Sequence, residues 1–179
     1  AYAGLGVRNQ QISILSLPDA FDVTVEVCSL SKMYAMAGWR AGFIAGNDDI
    51  VSHVKQYHYQ MGSMVTGNVQ DAGTVALQSD QECVAELASR YALRRQIVAD
   101  GLRDAGLDVF DSDGGIYAWV HAPEGLTGER FADLLLERAA VAALPGTCFG
   151  KVGVDYVRFS LLKSEDQLRE AVRRIAAVL

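Results

Sequence analysis

One short stretch of the sequence combines hydroxyl, amine and guanidinium groups. Ser29 and Ser31 come just before Lys32, and Arg40 follows in the same stretch. Serine hydroxyls and a planar guanidinium bind phosphate well, because arginine can donate two parallel hydrogen bonds. A lysine amine beside them could form a Schiff base with a carbonyl group. The residue types therefore favour a site that holds an anionic phosphate and captures a carbonyl compound.

The reactivity of Lys32 depends on its surroundings. An ordinary lysine amine is protonated at neutral pH and is a poor nucleophile, so burial or cationic neighbours must favour its neutral form. From the residue types alone a second interpretation stays open, in which Lys32 is a surface lysine and Arg40 forms a salt bridge.

The elements around these residues indicate an α/β fold, because strand-like and helix-like patterns alternate along the chain. Lys32 follows a predicted buried strand at residues 24–30, which is where active-site groups of α/β proteins gather. Residues 31–40 are predicted as a loop. Further strands are predicted at residues 41–45, 107–110, 116–120 and 155–162, and helices at residues 48–57, 68–77, 84–105 and 129–142 and from Ser164 onward.

Local signals mark where several of these elements begin and end. Asp48 or Asp49 is expected to cap a helix, and Ser164 with Gln167 forms a capping-box pattern. The long helix at residues 84–105 is expected to join two lobes. We therefore predict two domains, residues 1–90 and residues 91–179.

The composition excludes several classes of protein. Of the 179 residues, 50% are hydrophobic and 21% are charged, which is typical of a globular protein. A net charge of −6 gives no general attraction to nucleic acid or anionic lipid, and no apolar run is long enough to predict a membrane span. The three scattered cysteines predict neither a disulfide scaffold nor a metal site, and they fit a cytoplasmic location.

The stretch SLSKMYAMAGWRAGF at residues 29–43 resembles the signature of the class I/II, fold-type I aminotransferases that use pyridoxal 5'-phosphate (PLP). The resemblance implies that Lys32 forms a Schiff base with the cofactor aldehyde. It also implies that Ser29, Arg40 and Ser31 hold the cofactor phosphate.

The first residues of the chain resemble a second element of this family. Ala1-Tyr2 is similar to the end of a D-x-A-Y element, whose tyrosine donates a hydrogen bond to the phenolic oxygen of the cofactor. In the family an aspartate just before this tyrosine pairs with the pyridine nitrogen. Asp19 and Asp22 lie on the wrong side of Tyr2 to replace it, so we expect that aspartate upstream of the sequence given.

Three later motifs follow in the order of the family. Residues 114–120 (GGIYAWV) resemble a strand of its small domain, and residues 144–150 (LPGTCFG) resemble the P-G-x-x-F-G turn. Residues 156–160 (YVRFS) resemble a late strand whose arginine binds the α-carboxylate of the substrate. The resemblance therefore implies that Arg158 binds substrate.

The resemblance covers nearly the whole chain but only the C-terminal portion of the family. It implies the later part of the large PLP-binding domain at residues 1–90 and an α+β small domain at residues 91–179. The implied activity is transfer of an α-amino group between an amino acid and a 2-oxo acid, by a homodimer with shared sites.

Two alternatives remain open at this point. A PLP-dependent β-lyase of the same fold would need the same lysine and the same arginine. A truncated, non-catalytic module would instead bind a partner through exposed apolar surface.

Overall fold

The chain divides into two compact units, Ala1–Ala88 and Ser89–Leu179. The computed structural model describes residues 2–6, 12–62 and 64–179. Each unit contains one small sheet among the described residues, with two strands in the first and three in the second. In that part of the chain, no helix is both long enough and apolar enough to cross a membrane.

The first unit is built on an antiparallel pair of strands flanked by helices. Ser29 lies opposite Gly42 at one end of the pair, and Val25 lies opposite Gly46 at the other. The elements in chain order are α1 (Ala20–Val23), β1 (Val25–Ser29), α2 (Leu30–Met33), β2 (Gly42–Gly46), α3 (Asp48–Gln60) and α4 (Gly67–Gln78). Helix α5 (Glu82–Asp104) begins in this unit and continues into the second.

Local chemistry explains where two of these helices start. The Asn47 side chain accepts a hydrogen bond from the backbone N–H of Ile50 at 3.0 Å, so Asn47 caps α3. The expectation that Asp48 or Asp49 is the cap is therefore wrong. Both lie in the first turn, where a carboxylate favours the helix dipole.

Residues 31–40 also differ from the predicted loop. The Ser29 hydroxyl oxygen accepts a hydrogen bond from the backbone N–H of Ser31 at 3.2 Å and caps the one-turn helix α2. A 3₁₀ turn at Ala37–Trp39 follows. The Ser29 side chain thus has a structural role as a helix cap, which hydrophobic periodicity does not detect.

The second unit is a three-stranded antiparallel sheet with helices on its buried face. Its elements are β3 (Tyr117–His121), α6 (Gly128–Leu134), β4 (Leu144–Pro145), β5 (Tyr156–Ser160) and α7 (Glu165–Ala176), and the strand order is β3-β5-β4. Ala118 and Val120 of β3 and Val157 and Phe159 of β5 are buried. The alternate residues of the same strands lie on the other face, where Arg158 is half-buried and Ser160 is exposed.

Helices α5 and α7 pack closely together in this unit. A Cβ atom added to Gly101 of α5 would lie 2.5 Å from Cγ1 of Val172 in α7, so the glycine permits the contact. The Arg94 guanidinium binds the Glu165 carboxylate at 2.6 Å, which attaches the start of α7 to α5. The capping box of Ser164 with Gln167 is confirmed.

Two predicted elements of this unit are wrong in extent. Residues 107–110 contribute only the isolated bridge between Val109 and Val120 rather than a strand. The helix predicted at residues 129–142 ends at Leu134 and continues as a π-helical turn, Leu135–Ala139. Ala140 then takes a left-handed conformation with φ 53°. The sequence does not predict this conformation, because alanine rarely adopts it.

Candidate active site

The segment between β1 and β2 is a closed loop that carries most of the candidate residues. At its base the backbone N–H of Leu30 donates to the Ala41 carbonyl at 3.1 Å. Inside it the Met36 N–H donates to the Leu30 carbonyl at 3.4 Å. Leu30 and Met36 are buried and anchor the loop to the unit. Ser29, the last residue of β1, borders this loop, and Lys32 and Arg40 lie within it.

Lys32 occupies the last turn of α2 and is half-buried. Its amine forms no hydrogen bond or ion pair with any residue that the structure describes. A lysine that stabilised the surface through a salt bridge would have an acidic partner. The absence of a described partner leaves the amine available for a ligand.

The two serines keep hydrogen-bond donors for a ligand. The bond that caps α2 uses a lone pair of the Ser29 oxygen, so its hydroxyl hydrogen can still donate to an anion. Ser31 is half-buried in the first turn of the same helix.

Arg40 lies at the far end of the loop with its side chain exposed. Nη1 donates to the Ala37 carbonyl at 2.9 Å, which leaves other guanidinium N–H groups for an anion. The backbone of Arg40 is left-handed, with φ 53°, as is that of Ala35, with φ 54°. Strained residues of this kind are concentrated at functional sites.

Arg40 also borders an open groove of the first unit, about 720 Å³ in volume, between the strand pair and helices α3 and α4. Lys55 and His58 of α3 line the same groove. Lys32, Ser29 and Ser31 do not line it. The four residues thus lie in this loop or at its edge, and of the four, Arg40 is the one that lines this groove.

Tyr2 belongs to a turn that packs beside α2. The Leu5 N–H donates to the Tyr2 carbonyl at 3.0 Å, and Leu5 is buried. A Cβ atom on Gly4 would lie 3.9 Å from Cγ of Met33 in α2. The turn that carries Tyr2 thus lies against the helix that carries Lys32, while Ala1 lies outside the described residues.

The thiol next to this loop is not activated. Burial, followed by the charge of Glu26, raises the pKa of the Cys28 thiol above its ordinary value. The thiol lies 3.9 Å from a Glu26 carboxylate oxygen. A raised pKa keeps the sulfur protonated at neutral pH, which is unfavourable for a nucleophile.

Arg158 lies in the other unit, at the centre of the three-stranded sheet. It is opposite Trp119 of β3 and Leu144 of β4. Its Cζ atom lies 3.9 Å from the ring centroid of Tyr117 and 4.2 Å from that of Phe149. Within the described part of the chain, the guanidinium has no hydrogen-bond or ion-pair partner. Its N–H donors are therefore available to a carboxylate.

The two aromatic neighbours of Arg158 were not identified as site residues by sequence reasoning. Tyr117 could have been found, because strand alternation and the register place it on the same face as Arg158. Phe149 comes from the turn Gly146–Phe149, and no periodicity connects that turn to the strand.

Residues 1–175 match the family model described as aminotransferase class I and II. An L-glutamine–4-(methylsulfanyl)-2-oxobutanoate aminotransferase of Bacillus subtilis is 42% identical over 98% of the chain. An LL-diaminopimelate aminotransferase of Aquifex aeolicus is 39% identical over 91% of the chain. The chain spans 44% and 42% of the lengths of these two relatives.

Solved structures agree with these sequence relatives. An aminotransferase from Staphylococcus aureus matches 99% of the chain with a TM-score of 0.92 at 34% identity, and the match covers 47% of that protein. The aromatic aminotransferase of Pyrococcus horikoshii matches 99% with a TM-score of 0.93 at 32% identity, over 48% of its chain. The chain belongs to the class I and II aminotransferase family and has the α/β fold of the fold-type I aminotransferases.

Proposed function

We propose that the full-length protein is a PLP-dependent aminotransferase that transfers an α-amino group between an amino acid and a 2-oxo acid. The family to which the chain belongs implies PLP as the cofactor. Both relatives named above are aminotransferases, which favours amino transfer over β-elimination. The activity is proposed for the full-length protein because the chain spans less than half of either relative.

The donor groups of the loop fit an aldehyde that carries a phosphate. Lys32 would bind the aldehyde with its amine, while Ser29, Ser31 and Arg40 would hold the phosphate through hydroxyl and guanidinium donors. Tyr2, whose turn packs against α2, would donate to the phenolic oxygen. The observation that carries this proposal is the half-buried Lys32 amine, which has no partner among the described residues, on a loop closed by backbone hydrogen bonds.

When bound, PLP supplies an aldehyde for the amino group and a ring that takes up the electron pair left by the Cα proton. Once the amino group of the substrate has replaced it at the aldehyde, the Lys32 amine would act as the general base that removes this proton. The Arg158 guanidinium binds the α-carboxylate with two parallel hydrogen bonds and orients Cα for proton removal.

The same proposal assigns residues 1–90 to the later part of the PLP-binding domain and residues 91–179 to the small domain. The division into two units between Ala88 and Ser89 supports this assignment. The homodimer and the cytoplasmic location stay predictions, and light scattering of the purified full-length protein tests the first.

Borohydride reduction tests the proposed function directly. We expect the full-length protein to take up PLP with a yellow absorbance band, and reduction to fix the cofactor on Lys32 in a peptide map. Lys32→Ala should remove both the fixed label and amino transfer. Lys55→Ala is the matched control, since Lys55 lies in the same unit and should leave the label in place. Labelling of another lysine, or transfer that survives in Lys32→Ala, would contradict the proposal.

A further inference from the structure

We propose that Tyr117 and Phe149 are positioning residues that hold the Arg158 guanidinium ready for a carboxylate. The inference rests on the proposed function, in which Arg158 binds the α-carboxylate of the substrate. We call the two rings the aromatic clamp.

The clamp is defined by short distances from one guanidinium to two rings. The Arg158 Cζ atom lies 3.9 Å from the Tyr117 centroid and 4.2 Å from the Phe149 centroid. Both distances are well inside the range of about 6 Å at which cations are attracted to aromatic rings. Tyr117 is the diagonal neighbour of Arg158 across the β3–β5 ladder, because it pairs with Ser160 two residues further along β5.

Phe149 is itself held in place by other rings. Its ring packs edge-on against Trp119, with centroids 5.7 Å apart and planes at 74°. The Trp119 ring stacks on Tyr156 at 5.4 Å and 17°. A continuous row of aromatic contacts on the open face of the sheet therefore supports the clamp.

The backbone that carries Phe149 is equally constrained. A Cβ atom on Gly146 would lie 2.2 Å from the Gly153 carbonyl oxygen, so the segments before and after Phe149 are in close contact. The Thr147 hydroxyl also donates to the Glu129 carboxylate at 2.9 Å. The position of the Phe149 ring is thus fixed by its own turn as well as by Trp119.

An aromatic clamp suits a carboxylate-binding arginine better than a salt bridge would. A long, flexible arginine side chain loses rotamer freedom when it binds a ligand, and that loss lowers affinity. An acidic partner would order the side chain but would occupy its N–H donors. Ring contacts order the guanidinium and leave those donors available.

Steady-state kinetics of the full-length holoenzyme tests the inference. We expect Phe149→Leu and Tyr117→Leu each to raise KM for the amino acid about 3- to 10-fold, with a smaller change in kcat. The kcat/KM for an amine that has the same side chain as the amino acid but no α-carboxylate should not change. Phe149→Tyr and Tyr117→Phe each keep an aromatic ring and should have the same KM as the unmodified enzyme. Phe110→Leu removes an exposed ring of the same unit and serves as the control.

Nuclear magnetic resonance of arginine-labelled protein supplies a readout that does not depend on activity. Ring currents should displace the Arg158 side-chain resonances, and each leucine variant should reduce that displacement. If both leucine variants leave KM unchanged while Arg158→Leu raises it, the clamp is wrong and the proposed function stands. If Arg158→Leu leaves KM for amino acids unchanged, the role proposed for Arg158 fails, and the inference fails with it.

Discussion

At Arg40, the proposed binding role can be separated from the stability of the loop that carries the residue. Its left-handed backbone costs about 1–2 kcal/mol in a residue other than glycine. A glycine removes that cost but makes the unfolded chain more flexible, which offsets about 0.4–1 kcal/mol of the gain. Loss of the hydrogen bond from Arg40 Nη1 to the Ala37 carbonyl, about 0.5–1.5 kcal/mol, offsets most of the gain that remains.

We predict that Arg40→Gly changes the free energy of unfolding by less than about 1 kcal/mol but weakens PLP binding about tenfold or more. PLP binding should weaken because each hydrogen bond to a charged group contributes about 1.5–3 kcal/mol. Urea denaturation and PLP titration of the full-length protein measure the two quantities. Arg40→Lys keeps the charge and the backbone strain and should bind PLP with intermediate affinity. Unchanged PLP affinity in Arg40→Gly would remove Arg40 from the proposed phosphate site.

At the scale of elements, the turn that carries Phe149 depends on a glycine. A Cβ atom on Gly146 would lie 2.2 Å from the Gly153 carbonyl oxygen and 2.9 Å from Cη2 of Trp119. Gly146→Ala should therefore lower the free energy of unfolding by about 1–3 kcal/mol, as overpacking does elsewhere. Gly67→Ala is the control, because nothing lies within 4 Å of its added Cβ. Equal melting temperatures of the two variants would show that the turn adjusts without cost.

The attachment of α7 to α5 should depend on pH. The hydrogen bond from Arg94 is the main cause that lowers the pKa of Glu165 below its ordinary value of 4.5. A carboxyl group whose pKa is lower in the folded state stabilises the fold above its unfolded-state pKa. That stabilisation is lost as the pH falls from 4.5 through the lowered value.

We predict that Glu165→Gln lowers the melting temperature at neutral pH, and that the difference from the unmodified protein shrinks as the pH falls below 4.5 through the lowered pKa of Glu165, since protonated Glu165 resembles glutamine. Thermal unfolding followed by circular dichroism over this pH range checks the prediction. The control is Glu124→Gln, because Glu124 is exposed and has no ion pair with the residues described. If the difference in melting temperature were equally large at acidic pH, the effect of Glu165→Gln would come from packing rather than from charge.

The elements also show which features a sequence can reveal. A β-rich run predicted β1, alternation predicted β5, and a helical pattern predicted the long helix α5. The expectation that the first of these strands is buried is wrong, because no residue of β1 is fully buried and Val27 is largely exposed. The capping box at Ser164 was predicted because both partners are local. The π-helical turn before Ala140 and the contact of Phe149 with Arg158 could not be predicted, since they depend on backbone strain and on tertiary packing. The candidate residues of the loop were indicated by their types and spacing and then by the family resemblance, and their roles stay proposals.

At the scale of the molecule, the two units differ in how much core they contain. Among the described residues, the largest fully buried side chains lie in the second unit with the exception of Leu5. In the first unit, by contrast, Val23 and Val27 are 72% and 73% exposed. The sheet of the first unit has two strands, and a pair of strands without further packing is marginally stable in water.

We therefore predict that residues 82–179, which contain the whole of α5 and the second unit, fold on their own. This fragment should unfold cooperatively on heating and give a dispersed amide spectrum in nuclear magnetic resonance. Residues 1–81 should give a collapsed spectrum and a broad thermal transition, because their exposed apolar side chains have too little core to pack against. Cooperative thermal unfolding of residues 1–81 would mean that the strand pair and its helices are sufficient for stability. A spectrum without dispersion for residues 82–179 would mean that the second unit depends on the first.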